Sequence, residues 1–329
     1  MASTIASAAW IAVLAVTGFG HTLPLVLFVA LIAAGSELVS FPFVVYRSFV
    51  LDRKYGLTSE SFGTWFRDHL KALAIGLAIC EIVAYAVMGS MRYAGHAWWA
   101  AATLLFAAAA LLLSGLAPIV LMPLFYRFRP LDRDELRERL IVLCRRAGVR
   151  VLGVFEWGLG AKTSRANAAL AGAGRTRRIL LSDTLLQNYS DDEIEVILAH
   201  ELAHHVHHDL WTALAFESAV IGLAMLVGHV AITVSGYGIG NVAAVPLLVL
   251  VAGGVSLALT PAGYAWSRHN ERRADRFALQ LTGRRDAFVT AMRRLAAQNL
   301  AEPAPSRLVR WLFHTHPTID ERIAAARQQ

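Results

Sequence analysis

The chain has 329 residues, of which 56% are hydrophobic and only 17% charged, and it carries a net charge of +7. Long uncharged runs alternate with arginine-rich blocks, which excludes an ordinary soluble fold and indicates a multi-pass membrane protein. The basic excess follows membrane topology, so it carries no argument for nucleic acid, and two isolated cysteines, Cys80 and Cys144, imply neither a disulfide framework nor a zinc site.

Six uncharged runs read as spans: Ile5–Gly20, Leu23–Tyr46, Ala72–Ser90, Ala97–Met122, Leu210–Ser235 and Ala243–Trp266. The first is short for a span of about 20 residues. It also lacks the basic start and the cleavage site of a signal peptide. Of the 31 Lys and Arg, 30 fall in Arg47–Lys71, Arg127–Asp209 and Arg268–Gln329. Six spans put these three segments on one side of a cell membrane. Cytoplasmic loops carry the Lys/Arg excess, so both termini and these three segments are expected on the cytoplasmic side.

Pro123 is expected to end the fourth span, because proline disfavours helix continuation. Leu131–Ala147 follows as an amphipathic helix with Leu136, Leu140 and Leu143 on one face. Val149–Trp157 reads as a strand. Ser164–Ala173 and Arg177–Leu181 read as two more, joined by a turn at Gly172–Gly174. Ser190 and Glu193 fit a capping box at the start of the next helix. That helix is expected to run straight into the fifth span. The last two spans form a hairpin, and Ser267–Leu281 continues as a helical segment.

The capped helix carries His200-Glu201-Leu202-Ala203-His204. Positions i and i+4 share a helix face, so two imidazoles can bind one zinc while the intervening glutamate reaches a water. A chance match in a histidine-rich helix is the competing reading, since His205, His207 and His208 follow; these three read as a polar interface face. A catalytic zinc takes three protein ligands and one water. Glu271 is the expected third ligand. Asp275, one turn further, could accept the free N–H of a ligating histidine. Taken alone, Glu271 and Asp275 read equally as a solvated charged helix face.

The pair His-Glu-x-x-His and Glu-x-x-x-Asp, separated by a two-span hairpin, resembles the M48 zinc metallopeptidases, within them the Ste24-like CAAX prenyl protease group, as a bacterial-type homologue. Further matches run in order along the chain. They are Phe41-Pro42-Phe43 with Tyr46, Phe49 and Tyr55-Gly56; Ala117-Pro118-Ile119 with Pro123 and Pro130-Leu131; Asn167-Ala168 with Arg178 and Asp183; and His316-Pro317 with Arg322. The resemblance implies a mainly α fold: a polytopic membrane helix bundle of about six spans with a small α+β zincin-like catalytic domain. Residues 1–122 would form the N-terminal membrane block, 123–209 the catalytic domain, 210–266 the two-span hairpin, and 267–329 the third-ligand helix and C-terminal segment.

It also implies one Zn2+ per chain on His200, His204 and Glu271, with Glu201 as general base. His316 would stabilise the oxyanion, and Arg322 would hold substrate or His316. Asn167, Ala168 and their strand would hold an extended peptide by β-augmentation. The expected partners are a peptide or protein substrate and the lipid bilayer. Glu37, Glu81 and Glu217, inside spans, would line the chamber enclosed by the family's helices. Two features depart from the family: six spans rather than seven, and Phe49-Val50-Leu51-Asp52-Arg53, where an acidic position has become basic. A quality-control protease similar to the M48 heat-shock membrane proteases shares this chemistry. A zinc transporter or sensor would need ligands along several spans, whereas the histidines here cluster at one boundary.

Overall fold

The computed structural model of the chain describes residues 22–172, 177–298, 300, 302 and 305–328. The expected span Ile5–Gly20 and most of the Gly172–Gly174 turn lie outside them. Contacts group the chain into two compact units: Met1–Tyr55 with Ser61–Leu111 and Leu214–Leu259, and Gly56–Glu60 with Leu112–Ala213 and Thr260–Gln329.

The first unit is helical. It is built from α1 (Thr22–Val45), α2 (Phe62–Tyr93), most of α3 (Trp98–Leu116), and parts of α7 (Asp209–Val234) and α8 (Val245–Thr282). Five stretches are helical, long and apolar enough to cross a membrane: Leu25–Lys54, Phe62–Tyr93, Gly95–Phe125, Asp209–Val234 and Val242–Thr282. These correspond to the last five expected spans. Their outer faces carry Ile82, Leu104, Leu250 and Leu257, each more than two-thirds exposed, so lipid must be their solvent. Buried polar groups are paired selectively: Trp98 Nε1 donates to His229 Nδ1 at 3.0 Å, and His69 Nε2 lies 2.7 Å from Glu37 Oε1. Glu81 keeps both carboxylate oxygens buried with no hydrogen-bond partner among the described residues, whereas Glu217 is exposed.

Pro123 does not stop the fourth span. The helix passes through a π-helical turn at Ala117–Leu121 into a last turn, Met122–Phe125, and ends at the extended Tyr126. Pro123 lies within this continuous helix, just after the π-helical turn.

The second unit carries the sheet. Strands β1 (Phe128–Pro130), β2 (Gly153–Trp157), β3 (Ala168–Ala171) and β4 (Arg178–Ser182) lie in the order β1-β2-β4-β3. β2 and β4 are parallel; the outer pairs are antiparallel. Helix α4 (Asp134–Arg146) turns Leu136, Leu140, Leu143 and Cys144 inward, as its periodicity predicted. They meet Ile179 and Leu181 of β4 and Ile194, Leu198 and Leu202 of α6 (Asp191–Val206) in one core. Phe288 of α9 (Arg285–Gln298) and Ile323 of α11 (Ile319–Arg327) complete it. Leu198 is fully buried there. Leu198→Ala is expected to destabilise this unit by about 3 kcal/mol, cavity included. A thermal melt of the purified protein checks this, and an unchanged midpoint would contradict the packing.

Helix α6 is fixed at its start. Ser190 Oγ accepts from Glu193 N at 3.3 Å, and Glu193 Oε2 accepts from Ser190 N at 2.8 Å, forming the expected capping box. Asp191, Asp192 and Glu195 pair with Arg133, Arg139 and Arg284 from α4 and from the start of α9. At its other end α6 does not run into the next span. His208 adopts φ +59°, a left-handed conformation costly for any residue but glycine, and α7 starts afresh at Asp209.

Candidate metal centre

One residue every 100° puts His200 and His204 on the same face of α6, and their rings stand 4.9 Å apart and nearly perpendicular. Their Nε2 atoms are 3.2 Å apart. Glu271 comes from α8. Its Oε2 is 3.2 Å from His200 Nε2 and its Oε1 is 3.4 Å from His204 Nε2. One ligand atom from each of the three residues lies within 4.8 Å of the others.

The outer ring nitrogens fix the proton positions. His200 Nδ1 lies 2.9 Å from Asp275 Oδ1, and His204 Nδ1 lies 2.8 Å from Asp209 Oδ2. A carboxylate only accepts, so both Nδ1 atoms carry the protons and both Nε2 atoms present lone pairs. Two lone pairs and a carboxylate thus converge with no donor between them. Glu271 Oε2 is buried and has no hydrogen bond of acceptable geometry despite its closeness to His200. A tetrahedral ion with metal–nitrogen distances of about 2.0–2.1 Å would hold its ligand atoms about 3.3 Å apart; the two Nε2 atoms are that close, and each has one Glu271 oxygen at 3.2 or 3.4 Å. The donor set therefore fits a divalent cation such as zinc.

Charge in the site points the same way. Burial alone would lower the pKa of His200, but the adjoining carboxylates of Asp275 and Glu271 reverse this and raise it to about 9. Burial raises the pKa of Glu201; the neighbouring imidazoles oppose this without overcoming it. Glu201 is thus a stronger base than a surface glutamate.

Outside the three ligand atoms stand two matching supports. Arg322 of α11 grips Asp275 with two bonds, Nε to Oδ2 at 2.8 Å and Nη2 to Oδ1 at 2.5 Å. Arg273 of α8 reaches Asp209 from the other side through a single bond, Nη2 to Oδ1. His316 approaches from the loop before α11, with Nε2 3.3 Å from Glu271 Oε1. Its Nδ1 is 2.7 Å from Thr315 Oγ1, so the hydroxyl can donate to Nδ1 and leave Nε2–H as a donor facing the cluster. Burial lowers the His316 pKa, favouring that neutral form.

Six of the expected residues besides Glu201 therefore come together: His200, His204, Glu271, Asp275, His316 and Arg322. Arg322 differs from expectation in its partner. Its guanidinium is taken up by Asp275, because a buried arginine needs a buried countercharge. Asn167 and Ala168 are not among the clustered side chains; they lie at the start of β3, a strand in contact with α6. Asn167 N donates to Ser182 Oγ at 2.8 Å, and Ser182 N donates to Asn167 O at 2.9 Å. β3 is an outer strand of the sheet, so one of its sides pairs with no strand among the described residues. His205, His207 and His208 stay outside the ligand group. Sequence reasoning missed Asp209 and Arg273. Their only signal was an acid just beyond the histidine run, which had been read as the edge of a span.

Comparison with known proteins agrees with this geometry. The model of Peptidase family M48 matches residues 130–329, which include every residue of the cluster. The chain belongs to peptidase family M48. A second model, the CAAX prenyl protease N-terminal region with five membrane helices, matches residues 3–127. The uncharacterized metalloprotease YhfN of Bacillus subtilis is 29% identical over 323 residues, covering 92% of this chain and 73% of that protein. The probable CAAX prenyl protease 1 of Schizosaccharomyces pombe is 27% identical, covering 88% of this chain and 63% of that protein. The crystal structure of S. mikatae Ste24p superposes with a TM-score of 0.87 at 22% identity, over 97% of this chain and 80% of that one. The shared fold is that of Ste24p. The M48 chain described here is thus a multi-pass membrane metalloprotease, and its family implies a metal ion.

Proposed function

We propose that this protein is a zinc metalloendopeptidase that cuts extended peptides or membrane-associated proteins, in the manner of the CAAX prenyl proteases it resembles. The observation that carries the reading is the convergence of His200 Nε2, His204 Nε2 and the Glu271 carboxylate, each imidazole backed by its own carboxylate. A zinc ion held by these three residues supplies Lewis acidity, acidifying a water and polarising the scissile carbonyl.

The chain's own groups do the rest. Glu201 takes the proton from the attacking water and hands it to the leaving amine, which its raised basicity favours. His316 Nε2–H donates to the oxygen on which negative charge grows. Asp275 and Asp209 hold the imidazoles in the tautomer that leaves Nε2 free, and Arg322 and Arg273 position those carboxylates. Asn167, Ala168 and the outer edge of β3 bind the peptide backbone as an added strand, a mode that tolerates varied side chains. The Lys/Arg distribution puts the termini and catalytic segments in the cytoplasm.

Treatment with a strong chelator should abolish cleavage of an extended peptide by the purified protein, and zinc should restore it at about one ion per chain. Activity that survives while metal analysis reads zero would refute the proposal. Asp209→Asn should weaken zinc binding by about 10–100-fold, the usual cost of losing the partner of a ligating histidine. A competition titration with a zinc chelator measures this. An unchanged affinity would remove Asp209 from the site.

A further inference from the structure

A second built feature stands where α8 leaves its uncharged run. Arg268 is buried, and its Nη1 donates to the carbonyls of Arg310 at 3.3 Å and His314 at 2.6 Å. These bonds tie helix α10 (Arg307–Phe313) to α8 at that level. Arg268 follows the last residue of the uncharged run, Trp266, by two positions, or about 3 Å of helix rise. Trp266 is half exposed, and tryptophan favours the membrane–water interface. Helix α10 therefore sits within about a turn of the edge of the apolar layer.

Its sequence suits that depth. Arg307 and Arg310, three residues apart, share one side of the helix, while Leu308, Val309 and Leu312 occupy the other and Phe313 flanks Arg310. Leu308, Trp311 and Phe313 are 64%, 52% and 70% exposed, which water would penalise and acyl chains would not. On the arginine side, Arg268, Arg272, Arg307 and Arg310 line a cavity of about 320 Å³ with Trp311 and Glu321. Glu321 is held by Arg310 through one oxygen and Arg268 is held by the two carbonyls, so four guanidiniums face one carboxylate.

We propose that this cavity binds the phosphate headgroup of an anionic phospholipid, with α10 lying in the interface and its apolar side against the acyl chains. Planar guanidiniums match phosphate oxygens in pairs. A soluble phosphate ester would satisfy the arginines but leave Leu308 and Phe313 in water; a lipid covers both.

The test uses the full-length protein in detergent, offered dioleoyl-phosphatidylglycerol and dioleoyl-phosphatidylcholine in equal amounts, with retained lipid read by native mass spectrometry. Wild type is expected to retain phosphatidylglycerol preferentially. R272Q/R307Q should weaken that retention about 25-fold, about fivefold for each arginine, and R272K/R307K, which keeps the charge but not the planar pairing, should weaken it less. Equal retention by wild type and R272Q/R307Q would overturn the proposal. So would equal loss in the glutamine and the lysine pairs together with a lowered melting temperature, which would mark a disturbed fold. Displacement of the lipid by millimolar inorganic phosphate would make this a site for free phosphate and overturn it too. Unchanged lipid retention, with a raised KM for a peptide acid but not for its amide, would instead assign the arginines to substrate.

Discussion

Glu201→Gln is expected to lower kcat for peptide cleavage by about 10³-fold while leaving one zinc per chain. The amide keeps the size of the side chain and cannot accept the water's proton. General acid–base catalysis contributes about 10²–10⁴ in rate, and 10³ corresponds to about 4 kcal/mol of barrier. Glu201 is not among the three residues whose atoms converge, so metal content should be untouched. Burial that raises the pKa of the glutamate penalises the uncharged amide less, so the fold should tolerate the change. Metal analysis and single-turnover cleavage on the same preparation check both halves. A variant that turns over normally, or that comes off the column without zinc, would disprove the assigned role.

Glu271→Gln should have the opposite signature: metal lost first, and activity lost because of it. The carboxylate is the only anionic ligand of the three, facing both Nε2 atoms at 3.2 and 3.4 Å. Its replacement leaves a neutral set of donors with no charge to offset that of the ion. Affinity should fall by more than about 100-fold, beyond the loss produced by an outer partner such as Asp209. Zinc should then no longer raise the melting temperature, since an ion that does not bind the native state cannot stabilise it. A variant that retains stoichiometric zinc and a zinc-dependent melting shift would show that the third ligand lies elsewhere. The two variants together separate loss of the base from loss of the metal.

Much of the site could be read from local spacing. His200 and His204 are four residues apart on a capped helix, and Glu271 and Asp275 are four apart on another. Helical periodicity places each pair on one face without any knowledge of the rest of the fold. Ser190 and Glu193 announced where the first helix starts, and the leucines of α4 showed which side it buries. The partners of these residues were harder. Asp209 appeared to open a continuous helix into the membrane. Only the left-handed turn at His208 breaks that helix and brings the carboxylate back to His204. No glycine or asparagine marks the position, so propensity gave no warning of it.

The sequence by itself determined the membrane spans, the amphipathic helix of the catalytic unit, and which residues could act as ligands and base. These depend on hydropathy and on contacts within a turn or two of helix. Tertiary structure decided which carboxylate serves which imidazole and where Arg322 spends its charge. Asp275 lies 47 positions from Arg322 in the chain, yet the two are bonded twice, beyond any periodicity. A buried charge takes the nearest countercharge that packing delivers, and packing is a property of the whole fold.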